Sequence, residues 1–86
     1  VTKSPTTYPH AVHLKLERPA DLQYFKDFTV ATTIANALFA AHSIPSGQLK
    51  NTLLFIDEIQ ESPEAIALLR YFKEDLPNLH IIAAGL

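Results

Sequence analysis

The sequence predicts an α/β fold: a three-layer arrangement of about three parallel strands with helices. Two short apolar runs, Thr52–Asp57 and His80–Ala84, have the length and composition of buried parallel strands. A segment with helical spacing separates them, and strand, helix, strand in this order is a βαβ unit. Since an uninterrupted apolar run indicates cover on both faces of a strand, we expect helices on both sides of the sheet. An alternating segment at Ala11–Glu17 supplies the third strand.

The chain begins with a loose segment and a half-exposed strand. Val1–His10 is polar and contains two prolines, which favours an irregular connection. Ala11–Glu17 then alternates, with charged side chains or histidine on one side and three apolar side chains on the other: Val12, Leu14 and Leu16. This alternation predicts an edge strand whose polar side faces water.

Two helices and a loop are predicted before the second strand. Leu22–Phe28 forms a short helix with Leu22 and Phe25 inward and Phe28 as a third inward candidate. Thr29–His42 keeps a helical step of apolar residues, namely Val30, Ile34, Leu38 and Ala41. The proline and glycine of Ile44–Gln48 predict a loop that leads to the second strand.

The strongest helix signal follows the second strand. Ser62 is a capping residue, Pro63 suits the first helical position, and Glu64 lies where the helix dipole favours negative charge. The helix is therefore predicted to begin at Pro63 and to end before Pro77. Its apolar face is predicted to comprise Ile66, Leu69, Phe72 and Leu76.

The candidate site lies at the end of the second strand, where Leu53-Leu54-Phe55-Ile56 runs into Asp57 and Glu58. In open α/β sheets, ligands bind at the carboxyl ends of the strands. Magnesium keeps most of its waters and needs few carboxylates, which suits Asp57. Glu58, directed the other way by strand alternation, suits a base that orients or deprotonates the attacking water. The same hexamer also fits a strand that returns to solvent or caps the next turn.

Three stretches carry a family resemblance: Thr52-Leu53-Leu54-Phe55-Ile56-Asp57-Glu58-Ile59-Gln60-Glu61-Ser62-Pro63, Leu69-Arg70-Tyr71-Phe72-Lys73-Glu74 and His80-Ile81-Ile82-Ala83-Ala84-Gly85. Together they resemble the Walker B to sensor 1 region of predicted prokaryotic AAA-type ATPases that carry a nuclease-like C-terminal domain. The resemblance implies a P-loop NTPase fold, a cytoplasmic protein, and ATP and Mg²⁺ as cofactors. It also implies that Asp57 is the cofactor-binding and metal-associated acid and that Glu58 is the catalytic base.

Two departures from this family pattern predict a partial domain over residues 1–86, with 51–86 as the Walker B to sensor 1 region. The loop Gly-x-x-x-x-Gly-Lys-Ser/Thr is absent, and Gly47 and Gly85 are the only glycines. Leu86 stands where similar sequences place a polar sensor residue. We therefore expect this chain alone to have little or no activity. The family's P-loop strand would pair beside the last strand, so we also expect an exposed sheet edge and self-association.

Composition argues against several other functions. The net charge is -2 and the seven basic residues are scattered, which gives no footprint for nucleic acid or an anionic membrane. The apolar runs are too short to span a membrane, and the absence of cysteine excludes thiolate metal sites. His10 and His13 fall on opposite faces of one strand, while His42 and His80 belong to other elements, so no histidine metal site is expected.

The competing interpretation comes from another functional class. In it, the chain is a non-catalytic structural or protein-interaction domain, and Asp57 and Glu58 are ordinary surface acids. The two interpretations differ in whether Asp57→Asn or Glu58→Gln changes nucleotide handling.

Overall fold

A computed structural model describes residues 8–85 as an α/β domain built on a three-stranded parallel sheet. The strands are β1 (His10–Lys15), β2 (Thr52–Asp57) and β3 (His80–Ala83), in the spatial order β1-β2-β3. The helices are α1 (Pro19–Asp27), α2 (Ala31–Ala41) and α3 (Pro63–Asp75), and short 3₁₀ turns occupy Ser46–Asn51 and Ile59–Glu61. The predicted α/β class and the three parallel strands are confirmed. Of the loose lead-in predicted at 1–10, residues 1–7 lie outside the described residues, and His10 is already the first residue of β1.

The helices lie on one face of the sheet, so residues 8–85 form two layers where three were predicted. Helix α1 packs against β1 and α3, and α2 packs against α3, which places all three helices in a single layer. The strand order explains this arrangement. Both connections, from β1 to β2 and from β2 to β3, are right-handed crossovers that move in the same direction across the sheet. Their helices must therefore lie on the same face of the sheet. The apolar run in β2 gives both faces apolar side chains, but it does not determine what covers each face.

The core lies between this helical layer and the sheet. From the strands it receives Val12, Leu14, Leu54 and Ile56, all buried, and Leu16 just beyond β1 is buried with them. Strand alternation and register assign the opposite face, here called the open face, to Ala11, His13, Lys15, Leu53, Phe55, Asp57, His80 and Ile82. Every side chain on the open face is exposed or half-buried. The prediction that β1 is a half-exposed edge strand with Val12, Leu14 and Leu16 inward is confirmed.

Strand β3 was predicted to be buried, and this is wrong. His80, Ile82 and Ala83 are exposed, and Ile81 is half-buried. The reason is position: β3 pairs only with β2 within residues 8–85, and no helix covers its open face. Its apolar sequence does not reveal that it is an edge.

Helix α3 begins at Pro63, as predicted. The Ser62 hydroxyl accepts a hydrogen bond from the Ala65 N–H at 3.0 Å and so caps the first turn. Its buried residues are Ala65, Leu68 and Phe72, whereas Ile66 is 49% exposed. The predicted face is therefore only partly right. Hydrophobicity ranks Ile66 above Ala65, but a small side chain lets the helix backbone approach its neighbours closely.

The residues predicted to face inward do so in α1, but only in part in α2. In α1, Phe25 is buried and Leu22 is half-buried, and Phe28, just after the helix, is half-buried against the core. In α2, the buried residues are Ala31, Ile34, Ala35, Leu38 and Phe39. Val30 and Ala41 were predicted inward, but both are exposed. Val30 has extended backbone and precedes the helix, while Ala41 is its last residue.

The connection into β2 lies where a loop was predicted at Ile44–Gln48, and from Ser46 to Asn51 it takes 3₁₀ conformation. The buried Thr52 hydroxyl donates a hydrogen bond to the Gln48 carbonyl at 2.7 Å, which ties this turn to the first residue of β2. None of the helices between residues 8 and 85 is long and apolar enough to cross a membrane.

Candidate active site at the carboxyl edge of the sheet

Backbone hydrogen bonds tie the three strand ends together at the carboxyl edge of the sheet. The Leu16 N–H donates to the Asp57 carbonyl at 3.0 Å, which joins the end of β1 to the end of β2. The Ala84 N–H donates to the Ile56 carbonyl at 2.9 Å, and the Ala84 carbonyl accepts from the Ile59 N–H at 2.9 Å. The carboxyl ends of the three strands are therefore fixed relative to one another, and both predicted site acids lie at this edge.

Asp57 is the last residue of the central strand and projects from the open face. One carboxylate oxygen, Oδ1, accepts the backbone N–H of Glu58 at 2.9 Å. The other, Oδ2, lies 3.9 Å from Nε2 of His13, and the Asp57 side chain is 29% exposed. The carboxylate is thus oriented by its neighbours and still reaches solvent.

Glu58 immediately follows the strand and has left-handed backbone, with φ 57° and ψ 48°. Its carbonyl accepts the Glu61 N–H at 3.0 Å, which closes the 3₁₀ turn that follows β2. Its Oε1 accepts a hydrogen bond from Nε2 of Gln60 at 2.7 Å. Strand alternation was expected to set the direction of Glu58, but Glu58 lies outside β2, and this turn sets its direction instead.

A left-handed conformation is costly for a residue with a Cβ, by roughly 1–2 kcal/mol. Such residues persist where surrounding structure holds them, and they cluster at functional sites. In this chain the turn of residues 58–61 holds Glu58 in that conformation.

Gly85 lies just after β3 and packs against the backbone of Glu58 and Ile59 at this edge of the sheet. Its φ is +126°, and a Cβ at this position would lie 3.0 Å from both the Cα of Glu58 and the backbone N of Ile59. Its close approach to the Glu58 backbone depends on the β2–β3 pairing, which the sequence does not display.

His13 is the residue near the acids that sequence reasoning missed. Its ring packs on Phe55 with a centroid separation of 4.8 Å and an interplanar angle of 39°. The register places His13 opposite Phe55 and therefore diagonal to Asp57 on the same face. The sequence did contain a signal for His13. Since β1 and β2 were predicted to be parallel, aligning their carboxyl ends would have placed His13 near Asp57.

The side chains at this edge could serve a hydrated magnesium ion but not an all-protein metal cage. Within residues 8–85 no group of three or more His, Cys, Asp or Glu side chains converges on one point. Asp57 provides a single partly exposed carboxylate, which suits a cation that keeps several waters and takes other ligands from phosphates. The residues therefore fit hydrated Mg²⁺ bound beside a nucleotide, and they do not form an all-protein cage. The roles assigned to Asp57 and Glu58 stay predictions.

The other histidines do not join this edge. His80 lies at the opposite, amino-terminal end of β3, where its ring meets Tyr8 edge-on at 5.1 Å between centroids and the Tyr8 hydroxyl pairs with Nδ1. His10 begins β1, and His42 follows α2.

The family model described as the AAA domain matches residues 3–85, nearly the whole chain. Searches of curated proteins and of solved structures returned no match. The parallel strands, the acids at the end of β2 and this match agree with the resemblance drawn from the sequence, although the nuclease-like C-terminal domain stays a prediction. The chain belongs to the AAA domain family.

Proposed function

We propose that this chain is the Walker B part of a cytoplasmic, ATP-binding, magnesium-dependent ATP hydrolase of the AAA type. The observation that carries the proposal is the position of Asp57 and Glu58 in an AAA family chain. Asp57 is the last residue of the central parallel strand. Glu58 follows it in a left-handed conformation that the next turn holds in place. Ligands of open parallel sheets bind at this edge.

The different positions of the two acids give them different proposed roles, cation binding for Asp57 and proton transfer for Glu58. Bound ATP with Mg²⁺ supplies the transferable phosphoryl group and neutralises its charge. Asp57, with one oxygen fixed by the Glu58 N–H, presents its other oxygen to the waters of the cation. Glu58 acts as the general base that accepts a proton from the attacking water. Its carboxylate accepts the Gln60 amide, which holds it at the edge of the sheet.

The phosphate cradle must come from residues outside these 86, because the chain contains no Gly-x-x-x-x-Gly-Lys-Ser/Thr sequence. Backbone N–H groups of such a loop and its lysine normally hold the phosphates. We therefore propose that the chain by itself binds ATP weakly and hydrolyses it little or not at all.

The test has two stages. Calorimetric titration of the 86-residue chain with ATP and Mg²⁺ should give no saturable heat. In the protein that also supplies the phosphate loop, Glu58→Gln should lower the hydrolysis rate by at least about 100-fold while ATP binding persists. Asp57→Asn should lower hydrolysis and raise the Mg²⁺ concentration that is needed.

Glu61→Gln is the matched control, because Glu61 is an exposed acid in the same 3₁₀ turn. It should leave hydrolysis unchanged. Hydrolysis that is indifferent to both Asp57→Asn and Glu58→Gln would refute the ATPase proposal and favour the non-catalytic interaction domain.

We also propose that one edge of β3, which pairs with no strand among residues 8–85 and is here called the free edge, mediates self-association with a second copy of this chain. The backbone groups of Ala84 are directed to the β2 side. Since alternate residues of a strand direct these groups to opposite sides, Ile81 and Ala83 direct theirs to the free edge. An antiparallel pairing about Ile82 would match Ile81 of each copy with Ala83 of the other. The Ile82 side chain, 49% exposed, would then meet its own copy across the two-fold axis.

A further inference from the structure

A hydrogen bond joins the carboxylate of Glu58 to the side chain of Gln60. The Nε2 of Gln60 donates to Oε1 of Glu58 at 2.7 Å, within the usual range for an N–H that donates to a carboxylate. An ionised carboxylate offers only acceptors, so the amide nitrogen and not the amide oxygen must face it. The donor does not depend on pH, because a glutamine amide always carries two N–H groups.

The backbone brings these two side chains together. Glu58 has left-handed backbone and precedes the 3₁₀ turn Ile59–Glu61, which places Gln60 in the middle of that turn. The Ile59 N–H donates to the Ala84 carbonyl at 2.9 Å, so the turn is attached to the residue that follows β3. The hydrogen bond between Gln60 and Glu58 therefore forms on a segment that the ends of β2 and β3 both hold.

Gly85 provides the space for the Gln60 side chain. A Cβ built on Gly85 would collide with Oε1 of Gln60, which is the heavy atom nearest to that position. The amide oxygen of Gln60 thus lies against Gly85 while its nitrogen faces Glu58, and both ends of the amide have a defined neighbour. Any larger residue at position 85 would push this amide away from its place over the turn.

The bond to Gln60 makes the two oxygens of the Glu58 carboxylate unequal. Oε1 already has a donor, so Oε2 is the oxygen that is better placed to accept a proton from water. A glutamate side chain has several rotatable bonds, and a partner at one oxygen reduces the number of rotamers that it occupies. A general base must lie within hydrogen-bonding reach of the proton that it takes, and a small misplacement of such a group is costly.

We propose that Gln60 is a positioning residue of this site: its amide, in the space left by Gly85, fixes Oε1 of Glu58 and so directs Oε2 to the attacking water. The holding of the carboxylate is a property of this chain. Its effect on hydrolysis rests on the function proposed above for Glu58.

Nuclear magnetic resonance on the 86-residue chain tests the positioning. The wild type should show nuclear Overhauser contacts from the Gln60 side chain to the γ-protons of Glu58 and to the α-protons of Gly85. Gly85→Ala should remove the Gln60–Glu58 contact, whereas Gly47→Ala should keep it, because nothing lies within 4 Å of a Cβ at that position. Absence of the Gln60–Glu58 contact in the wild type, or its persistence in Gly85→Ala, would overturn the proposal.

A second glutamine and a second variant keep this test decisive. Gln23 donates to Asp27 at 2.7 Å on helix α1, and this exposed pair should keep its contact in every variant that folds. If Gly85→Ala does not fold, Glu58→Ala tests the same contacts from the other side. Loss of the acceptor should release the Gln60 side chain from the α-protons of Gly85, and an unchanged contact there would overturn the proposal.

Kinetics on the protein that also supplies the phosphate loop tests the consequence for hydrolysis. Gln60→Met keeps the length of the side chain but removes the donor, so kcat should fall by about 10–100-fold while KM for ATP stays unchanged. In a Glu58→Gln background, the same substitution should cause no further loss, because Gln60 acts through Glu58. Gln23→Met is the matched control and should leave kcat unchanged.

The outcomes separate this proposal from the proposed function. Unchanged kcat in Gln60→Met, together with impaired hydrolysis in Glu58→Gln, would overturn the role of Gln60 alone. A further loss from Gln60→Met in the Glu58→Gln background would also overturn it, since Gln60 would then act by another route. If Glu58→Gln leaves hydrolysis unchanged, the base role fails, while the nuclear Overhauser contacts still decide whether Gln60 holds the carboxylate.

Discussion

Replacing Phe72 by alanine tests the packing of the helical layer on the sheet. Phe72 is 0% exposed, and it lies on the buried side of α3 together with Ala65 and Leu68. Deleting a buried phenylalanine ring typically costs about 3–5 kcal/mol, from lost transfer free energy and from the cavity that is left. A folded chain of this size has a free energy of unfolding of about 4–13 kcal/mol, so the loss would be a large share of the total.

Tyr71 provides the matched control, because it neighbours Phe72 on the same helix and is 49% exposed. Tyr71→Ala should change the free energy of unfolding by only about 0.5 kcal/mol. The assay is urea denaturation followed by far-ultraviolet circular dichroism, since the chain has no tryptophan. If Phe72→Ala does not fold, Phe72→Leu should still fold with a loss of roughly 1 kcal/mol. Equal urea midpoints for Phe72→Ala and Tyr71→Ala would refute this account of the core.

Three further predictions concern the cap, the edge glycine and the free strand. Ser62→Ala removes the hydroxyl that accepts the Ala65 N–H and should cost about 1 kcal/mol in urea denaturation, whereas the exposed Ser46→Ala should cost little; equal losses would argue against the cap. Gly85→Ala should lower the free energy of unfolding by roughly 1–3 kcal/mol because of its φ and the backbone atoms near it. Gly47→Ala meets nothing within 4 Å and is the control, so a neutral Gly85→Ala would show that this close approach does not constrain the chain. Ile82→Lys should convert a concentration-dependent dimer into a monomer in analytical ultracentrifugation, and a wild type that stays monomeric at every concentration would contradict association through β3.

Much of the fold could be predicted because its signals are local. The start of α3 depends on a capping hydroxyl, a proline and an acidic first turn within three consecutive residues, and the helix begins where these predict. The alternation in β1 likewise predicts which side chains are buried, because an edge strand with one covered face has a period of two.

The errors arise where burial depends on which elements meet. The apolar sequences of β2 and β3 predicted cover on both faces, but strand order and crossover hand place all three helices on one side. In α3, Ala65 is buried and Ile66 is exposed because contact with the neighbouring helices and the sheet decides the inward face. No hydrophobic ranking of the residues in one helix contains that information.

The element types, the parallel strands and the two acids that follow the apolar run of β2 can be predicted from the sequence, because each of them depends on residues that are close together in the chain. The positions of His13 beside Asp57 and of Gly85 against the Glu58 backbone follow from the folded sheet. Both contacts join separate strands, and the register that creates them is set by the packing of the whole sheet.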